Sequence, residues 1–460
     1  MSFTSPSRWS DVYLAAAARS VSNCGDFLAA TVLVLELQQR GAGSLAVAAV
    51  LIAAALPIVV LAPLAGRLAD RVDSRLLLVT SGLAQLLVCL LLAVTTSTAG
   101  MIALVAVLSC GLAVTQPTLS ALTPAMVRPA DLPRANALLQ TAGSLGMLGA
   151  PALGGLLMGQ FGLRLPLFLD AASYLAIVAA GLAIRTRRGR IGARYASAGD
   201  ASAGQASDGQ ASAGGASPDG SPAPAGSQIS TAAPGIADGG ASTMGVAGGS
   251  TTTAASWRLR HDPLLGPMVL LVGAVIAVVS AVNVIDVFFV RQTLHTSASG
   301  YGVISTVWLA IMPTGAWLLT RRRLADSGLT VAMIGMLAST CLVVLLASSV
   351  PAFGWLIPLW AVGGLTNGGE NVAAAVLLGR RVPAACRGRA FATFGAVANG
   401  ANSAGFLLAG VLLGALPVRP TLAGVGLVGL LVTAGFAVPM LRAAARDRAV
   451  PRAPEPAPVS

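Results

Sequence analysis

The sequence predicts an all-α polytopic membrane protein, with twelve transmembrane helices arranged as two pseudo-symmetric six-helix bundles. Three observations lead there. Of 460 residues, 55% are hydrophobic and only 10% are charged, where an ordinary soluble domain carries roughly 25% charged residues; mean hydropathy is +0.79. Twelve nearly uncharged runs follow one another along the chain, each about long enough to cross a hydrocarbon core of ~30 Å as a helix. The last six of these runs echo the first six at a nearly constant offset.

The runs lie near 11–37, 44–66, 76–96, 100–123, 135–159, 165–185, 264–290, 300–320, 329–349, 353–378, 390–414 and 420–441. Their orientation follows from arginine, because the chain has no lysine. If the N-terminus is cytoplasmic, 24 of the 29 arginines fall in inner loops and tails. Four (Arg40, Arg164, Arg291 and Arg419) fall outside, and Arg19 lies within the first run. Basic residues in short loops mark the cytoplasmic side, so both termini are expected in the cytoplasm of a plasma-membrane protein that needs no cleavable leader.

Between the sixth and seventh runs the composition changes to Ala, Gly, Ser, Asp and Pro, as in ASAGDASAGQASDGQASAGG. Such a stretch has too little apolar surface to offset its ordering entropy and reads as a disordered linker. The expected organisation is a bundle over 1–185, a cytoplasmic linker over 186–262, a second bundle over 263–441 and a tail over 442–460.

The repeat is visible residue by residue. Arg67-Leu68-Ala69-Asp70 recurs as Arg323-Leu324-Ala325-Asp326, and Pro57 as Pro313, both 256 residues on. VRPADLPRANA from Val127 aligns with VPAACRGRAFA from Val382, and the pair Asn23 and Asp26 reappears as Asn283 and Asp286. Parallel repeats of this kind flank a central site in transporters.

Several function classes are set aside. The arginines form no continuous groove, so nucleic acid is not an expected partner. Without lysine there is no P-loop and no Schiff-base chemistry. Cys24, Cys89, Cys110, Cys341 and Cys386 stand singly, without metal or redox spacing, and His261 and His295 fall on opposite sides of the membrane. GVGLVG at Gly424 lies inside an apolar run and not at a strand-to-helix turn. No enzyme, metal or cofactor is expected; the partners are lipid, a small-molecule substrate and protons, with a monomer as the expected state.

Ionisable groups inside a membrane span cost about 2.5–3.5 kcal/mol each on insertion scales, so each asks for a reason. Asp26 lies mid-span with Arg19 and Asn23 on one helical stripe. It is either a carboxylate that binds and releases a proton, with Arg19 as modulator, or half of a static Arg19–Asp26 pair. Glu370 with Asn367 and Asn371 forms an i, i+3, i+4 cluster beside glycines, suited to substrate contact, to coupling or to a structural hydrogen bond. Asn23, Asn283, Asp286 and Trp308 complete the expected cavity set, with Asp286 placed nearer the outer end of its span. Asp170 is expected at the interface and Glu36 just outside the core.

GRLADRVDSR, Gly66 to Arg75, joins the second and third runs. It resembles the signature loop of the major facilitator superfamily. Gly66, Asp70, Arg71 and Arg75 fit that pattern, while Asp73 and Ser74 stand where it prefers a glycine and a basic residue. The resemblance implies an inner gate built on Asp70 and Arg71, with Arg75 and Arg134 as partners and Asp326 as the counterpart in the second half. GSLGMLGAPALGG in the fifth run, with Gly146, Gly149, Pro151, Gly154 and Gly155, resembles the glycine-proline helix-packing motif of family exporters.

SNCGDF, LADRVDSR and VRPADLPRANAL together resemble the drug:proton antiporter branch that holds macrolide-efflux and enterobactin-export proteins. This chain lacks the fourth-span arginine of other antiporter branches. The implied function is proton-coupled export of amphipathic small molecules such as antibiotics, secondary metabolites or siderophores, a drug-resistance type of efflux. The alternatives are an uptake symporter for a nutrient and a non-transporting scaffold or sensor.

Overall fold

The computed structural model describes residues 7–186, 262–322, 324–383 and 386–449, with all their side chains except those of Asp70 and residues 447–449. The linker reading falls on 187–261, outside the described residues. The helices are α1 (Trp9–Gln39), α2 (Ser44–Arg71), α3 (Ser74–Val94), α4 (Thr98–Met126), α5 (Leu132–Leu148), α6 (Ala150–Phe161) and α7 (Arg164–Ala183). In the second half they are α8 (Leu265–Val279), α9 (Val282–Phe288), α10 (Ala298–Arg321), α11 (Asp326–Ala347), α12 (Leu356–Arg381), α13 (Arg387–Ala415) and α14 (Val418–Ala449).

These helices make up the twelve expected spans, two of which are broken. The fifth divides at Gly149 into α5 and α6 with Pro151 in the first turn of α6, where a proline without an N–H is tolerated. The seventh divides at Ser280 into α8 and α9, and continues as a π turn over Phe289–Thr293. Among the described residues eleven spans are long and apolar enough to cross a membrane. The remaining one, α12, has 26 residues; its length suffices, but Asn367, Glu370, Asn371, Arg380 and Arg381 lower its hydropathy. The last helix, α14, runs to Ala449, eight residues into the expected tail. Its end, LRAAARDRA, is rich in strong helix formers that carry the helix out of the apolar layer.

Packing follows the repeat. α1 rests on α5, α6 and α7, α2 on α4, and α3 on α4 and α7. In the second half α8 rests on α13 and α14, α10 on α12, and α11 on α12 and α14. The halves meet where α2 lies along α13 and α6 along α10. These two seams are exchanged by the pseudo-symmetry.

Among the described residues the seams lie toward one end of the molecule, the arginine-poor end. There the Ser44 hydroxyl donates to the Gly410 carbonyl at 2.7 Å, the Ala152 N–H to Thr306 Oγ1 at 2.9 Å, and Arg291 Nε to Gln38 Oε1 at 3.4 Å. The apolar core is forked accordingly. One cluster spans both halves at this end, joining Val32, Leu92 and Leu167 to Ile285, Ile304 and Leu422. Toward the arginine-rich end it gives way to two separate clusters, one around Val12, Leu122 and Ile177 and one around Met268, Met333 and Leu377. α2 shows the divergence along its length: Val47, Ala48 and Val50 are buried, whereas Leu56, Val60 and Leu64 are exposed. A cleft between the bundles therefore opens at the arginine-rich end.

Candidate functional site

α1 faces both its bundle and the cleft. Its central residues SNCGDF place Asp26 half-buried, where the Tyr174 hydroxyl of α7 donates to Oδ1 at 2.5 Å. One helical turn earlier on α7, Asp170 is fully buried, with 0% exposure. Its Oδ2 accepts from the Cys89 thiol of α3 at 3.2 Å and its Oδ1 from the Ser173 hydroxyl at 3.3 Å. Gly25 makes room for this arrangement, since a Cβ there would collide with Asp170 Oδ1 and Ser173 Oγ. The expectation that Asp170 lies at the interface is therefore wrong. Its depth in the sequence run is shallow, but α1 and α3 cover it from both sides.

The stripe expected on α1 divides between two neighbours. Arg19 and Asn23 lie over Gly143 of α5, with Arg19 Nε 3.1 Å and Asn23 Nδ2 3.2 Å from where a Cβ would stand, while Asp26 turns to α7. Asn23 Nδ2 donates to the Gly143 carbonyl at 3.3 Å and Asn23 Oδ1 accepts from Gln116 of α4 at 3.4 Å. Thr115 beside it is hydrogen-bonded to Gln85 of α3, 3.2 Å apart. A polar band thus crosses the first bundle from α5 to α3.

Glu370 occupies the corresponding level of the second bundle. Its Oε1 accepts from Asn367 Nδ2 at 2.9 Å, and Asn371 Nδ2 donates to the Asn367 carbonyl at 2.8 Å. Oε2 is buried and has no hydrogen-bond partner among the described residues. Cys341 of α11 faces the carboxyl. By the offsets of 255 and 256, Glu370 and Cys341 are the counterparts of Thr115 and Gln85. The two positions lie near one another in both halves, while the charge does not recur.

Asp286 is 7% exposed and packed between α12 and α10, with the indole N–H of Trp360 as its donor and Tyr301 nearby. Its Oδ1 is buried without a partner among the described residues. It does lie toward the arginine-poor end, as expected. Its neighbours Ile285, Val287 and Phe288 belong to the shared core, so it is more deeply enclosed than position alone suggested. Asn283, one turn earlier, is exposed and donates to the Ser280 carbonyl at 3.1 Å. Trp308, expected along the cavity, has its ring pressed on Gly363 and edge-on to Trp360, with centroids 6.1 Å apart. That surface is committed to joining α10 and α12.

The loop residues at the arginine-rich end are spread over several contacts. A Cβ at Gly66 would meet nothing within 4 Å. Arg71 ends α2, and the Asp70 side chain lies outside the described set. Asp73, which departs from the signature, caps α3: its Oδ1 accepts from the N–H of Arg75 at 2.8 Å and of Leu76 at 3.3 Å. The cap satisfies two of the donors that a helix start leaves open. Arg134 stacks over Trp9 at 5.0 Å. Asp326 opens α11 and pairs with Arg380 at 3.4 Å, within its own half.

The glycine motif serves two partners. Cβ atoms at Gly146 and Gly154 would meet the Ser20 and Leu28 carbonyls of α1, within one half, whereas one at Gly155 would meet the Ala298 carbonyl of α10 across the seam. Gly149, expected among the packing glycines, has nothing within 4 Å of a Cβ and instead marks the break between α5 and α6. Missed by sequence reasoning were Tyr174, Cys89 and the burial of Asp170. A Tyr and an Asp four apart on one run, DAASY, was the available signal.

A family model described as Major Facilitator Superfamily matches residues 15–349. No curated protein matches the chain. Among solved structures, that of the nucleoside transporter NupG superposes with a TM-score of 0.65 at 14% identity, covering 93% of this chain and 98% of that one. The peptide transporter POT in complex with sulfate superposes with a TM-score of 0.65 at 12% identity, covering 97% of this chain and 96% of that one. At such identities the likeness is one of fold.

Proposed function

The chain belongs to the Major Facilitator Superfamily, and from that premise we propose that this multi-pass membrane transporter of small molecules exports amphipathic compounds in exchange for protons. The arginine distribution supports placing both termini and the open end of the cleft in the cytoplasm. The joined ends of α2, α6, α10 and α13 then close the outer side. Asp26 is the proton carrier. Its charge is what the surrounding helices respond to, because a carboxylate this deep is costly unless paired or hydrogen-bonded. Asn23, Asn367, Glu370 and Asn371 offer the substrate hydrogen bonds from both halves. Asp70, Arg71 and Asp326 act at the inner gate when the cleft closes. The likeness of SNCGDF and VRPADLPRANAL to the efflux branch supports export over uptake.

The single observation that carries this reading is Asp26 itself, partly exposed at mid-span and bonded to the Tyr174 hydroxyl. The test uses inverted membrane vesicles with an imposed proton gradient and ethidium or erythromycin as probe. Asp26→Asn should reduce gradient-driven transport to that of vesicles lacking the protein, with normal membrane abundance. Unchanged transport would remove Asp26 as the carrier.

A further inference from the structure

Asp26 is not the only carboxyl in its pocket. Asp170 sits one turn from Tyr174, on the same face of α7, and is sealed from the cleft. The titratable groups facing it are Asp26 and Cys24 from α1, Cys89 from α3 and Tyr174 on its own helix. The segment of α6 that packs on α7 carries no titratable residue. Arg19 lies seven residues before Asp26, about 10 Å along the helix axis, over Gly143 of α5. Two carboxyls therefore share an environment of hydroxyl and thiol donors.

The second half shows how the fold packs this pair of helices without a carboxyl. The corresponding helices of that half, α11 and α14, touch at Leu345 and Gly426. There a Cβ on Gly426 would run into the Leu345 backbone. At this contact the scaffold uses a leucine and a glycine. A Cys–Asp pair is not needed to pack such helices, and a fully buried carboxyl is costly to keep.

We propose that Asp170 is a second proton carrier, filled and emptied through Asp26 by way of the Tyr174 hydroxyl. This rests on the reading of Asp26 as the carrier that exchanges with the cleft. When Asp26 has released its proton, Tyr174 passes its hydroxyl proton to the Asp26 carboxylate and takes the one on Asp170. An O–H bond breaks on Asp170 and one forms on Asp26, and no electrons are transferred. The cysteine and serine act as positioning residues, holding Asp170 by hydrogen bonds from Sγ and Oγ.

The test uses full-length protein in nanodiscs with ¹³C-labelled aspartate, read by infrared difference spectra between acid and alkaline buffer, together with the pH profile of ethidium transport in vesicles. Asp170→Asn should remove one carboxylic-acid band, move the titration midpoint of the band that belongs to Asp26, and shift the transport profile. The pair Cys89→Leu with Asp170→Gly imitates the Leu–Gly contact by which α11 and α14 pack, and should do the same while folding. An unmoved midpoint and profile in either variant, with only a lower melting temperature, overturns the proposal and leaves a structural carboxyl. If both variants fail to fold, Asp26→Asn decides: the Asp170 band should then persist at every pH, and its titration as in the wild type overturns the relay. Asp26→Asn transport at the wild-type rate would instead refute the underlying reading of Asp26.

Discussion

Replacing Gly155 by alanine should shift the balance between conformers. A Cβ at Gly155 would meet the Ala298 carbonyl, with the Gly302 Cα 3.2 Å away, and Gly302 in turn is pressed on the Pro151 carbonyl. All of these are backbone atoms of α6 and α10, so no side chain can swing aside. Overpacking of this kind costs about 1–3 kcal/mol, and here it falls only on the state in which the arginine-poor end is closed. The population of that state relative to its alternative should drop roughly 5- to 150-fold. Gly154→Ala is the control: its Cβ would stand 3.2 Å from the Leu28 carbonyl of α1, inside one bundle, so its cost is common to both states. Spin labels on non-cysteine handles at Arg67 and Arg387, exposed residues of α2 and α13 at the arginine-rich end, report the cleft width. The short-distance population should grow in Gly155→Ala and stay at the wild-type level in Gly154→Ala. A folded Gly155→Ala protein with the wild-type distribution would refute the view that this seam holds the end shut.

Two smaller predictions concern the arginine-rich side. Asp73→Ala removes the side chain that accepts from the Arg75 and Leu76 N–H groups; thermal unfolding should show a loss of about 1 kcal/mol, with Asp73→Asn restoring most of it. Deleting about 50 residues between 187 and 261, a Gly/Ser-rich composition expected to tether without positioning, should leave ethidium transport intact, and loss of transport would assign the segment a role of its own.

Much of this architecture could be read before any coordinates. The spans follow from apolar run length, because a helix satisfies its own backbone in lipid and needs about 20 apolar residues to do so. The repeat could be read from shared residues such as Pro57 and Pro313, and Glu370 stood out because charge is rare in such runs. Other features could not be read this way. Asp170 looked peripheral because sequence depth measures distance along the span, whereas its burial comes from α1 and α3 lying over it. That Trp308 packs its ring on Gly363 and edge-on to Trp360 has no signal in the local sequence. Asp73 looked like a defect in the loop signature until it appeared as the cap of α3.

Amino-acid order by itself determined that the chain crosses the membrane, how often, and that its halves are copies, since these depend on local hydropathy and periodicity. Only the tertiary structure decided that Asp26 is held by Tyr174 beside a second buried carboxyl, and that the bundles join at one end and part at the other. Those facts depend on which helix faces come together across intervals of more than a hundred residues, as Asp26 and Tyr174 do at positions 148 apart. Interhelical packing of this kind turns on small residues and close backbone approach, which no local pattern specifies.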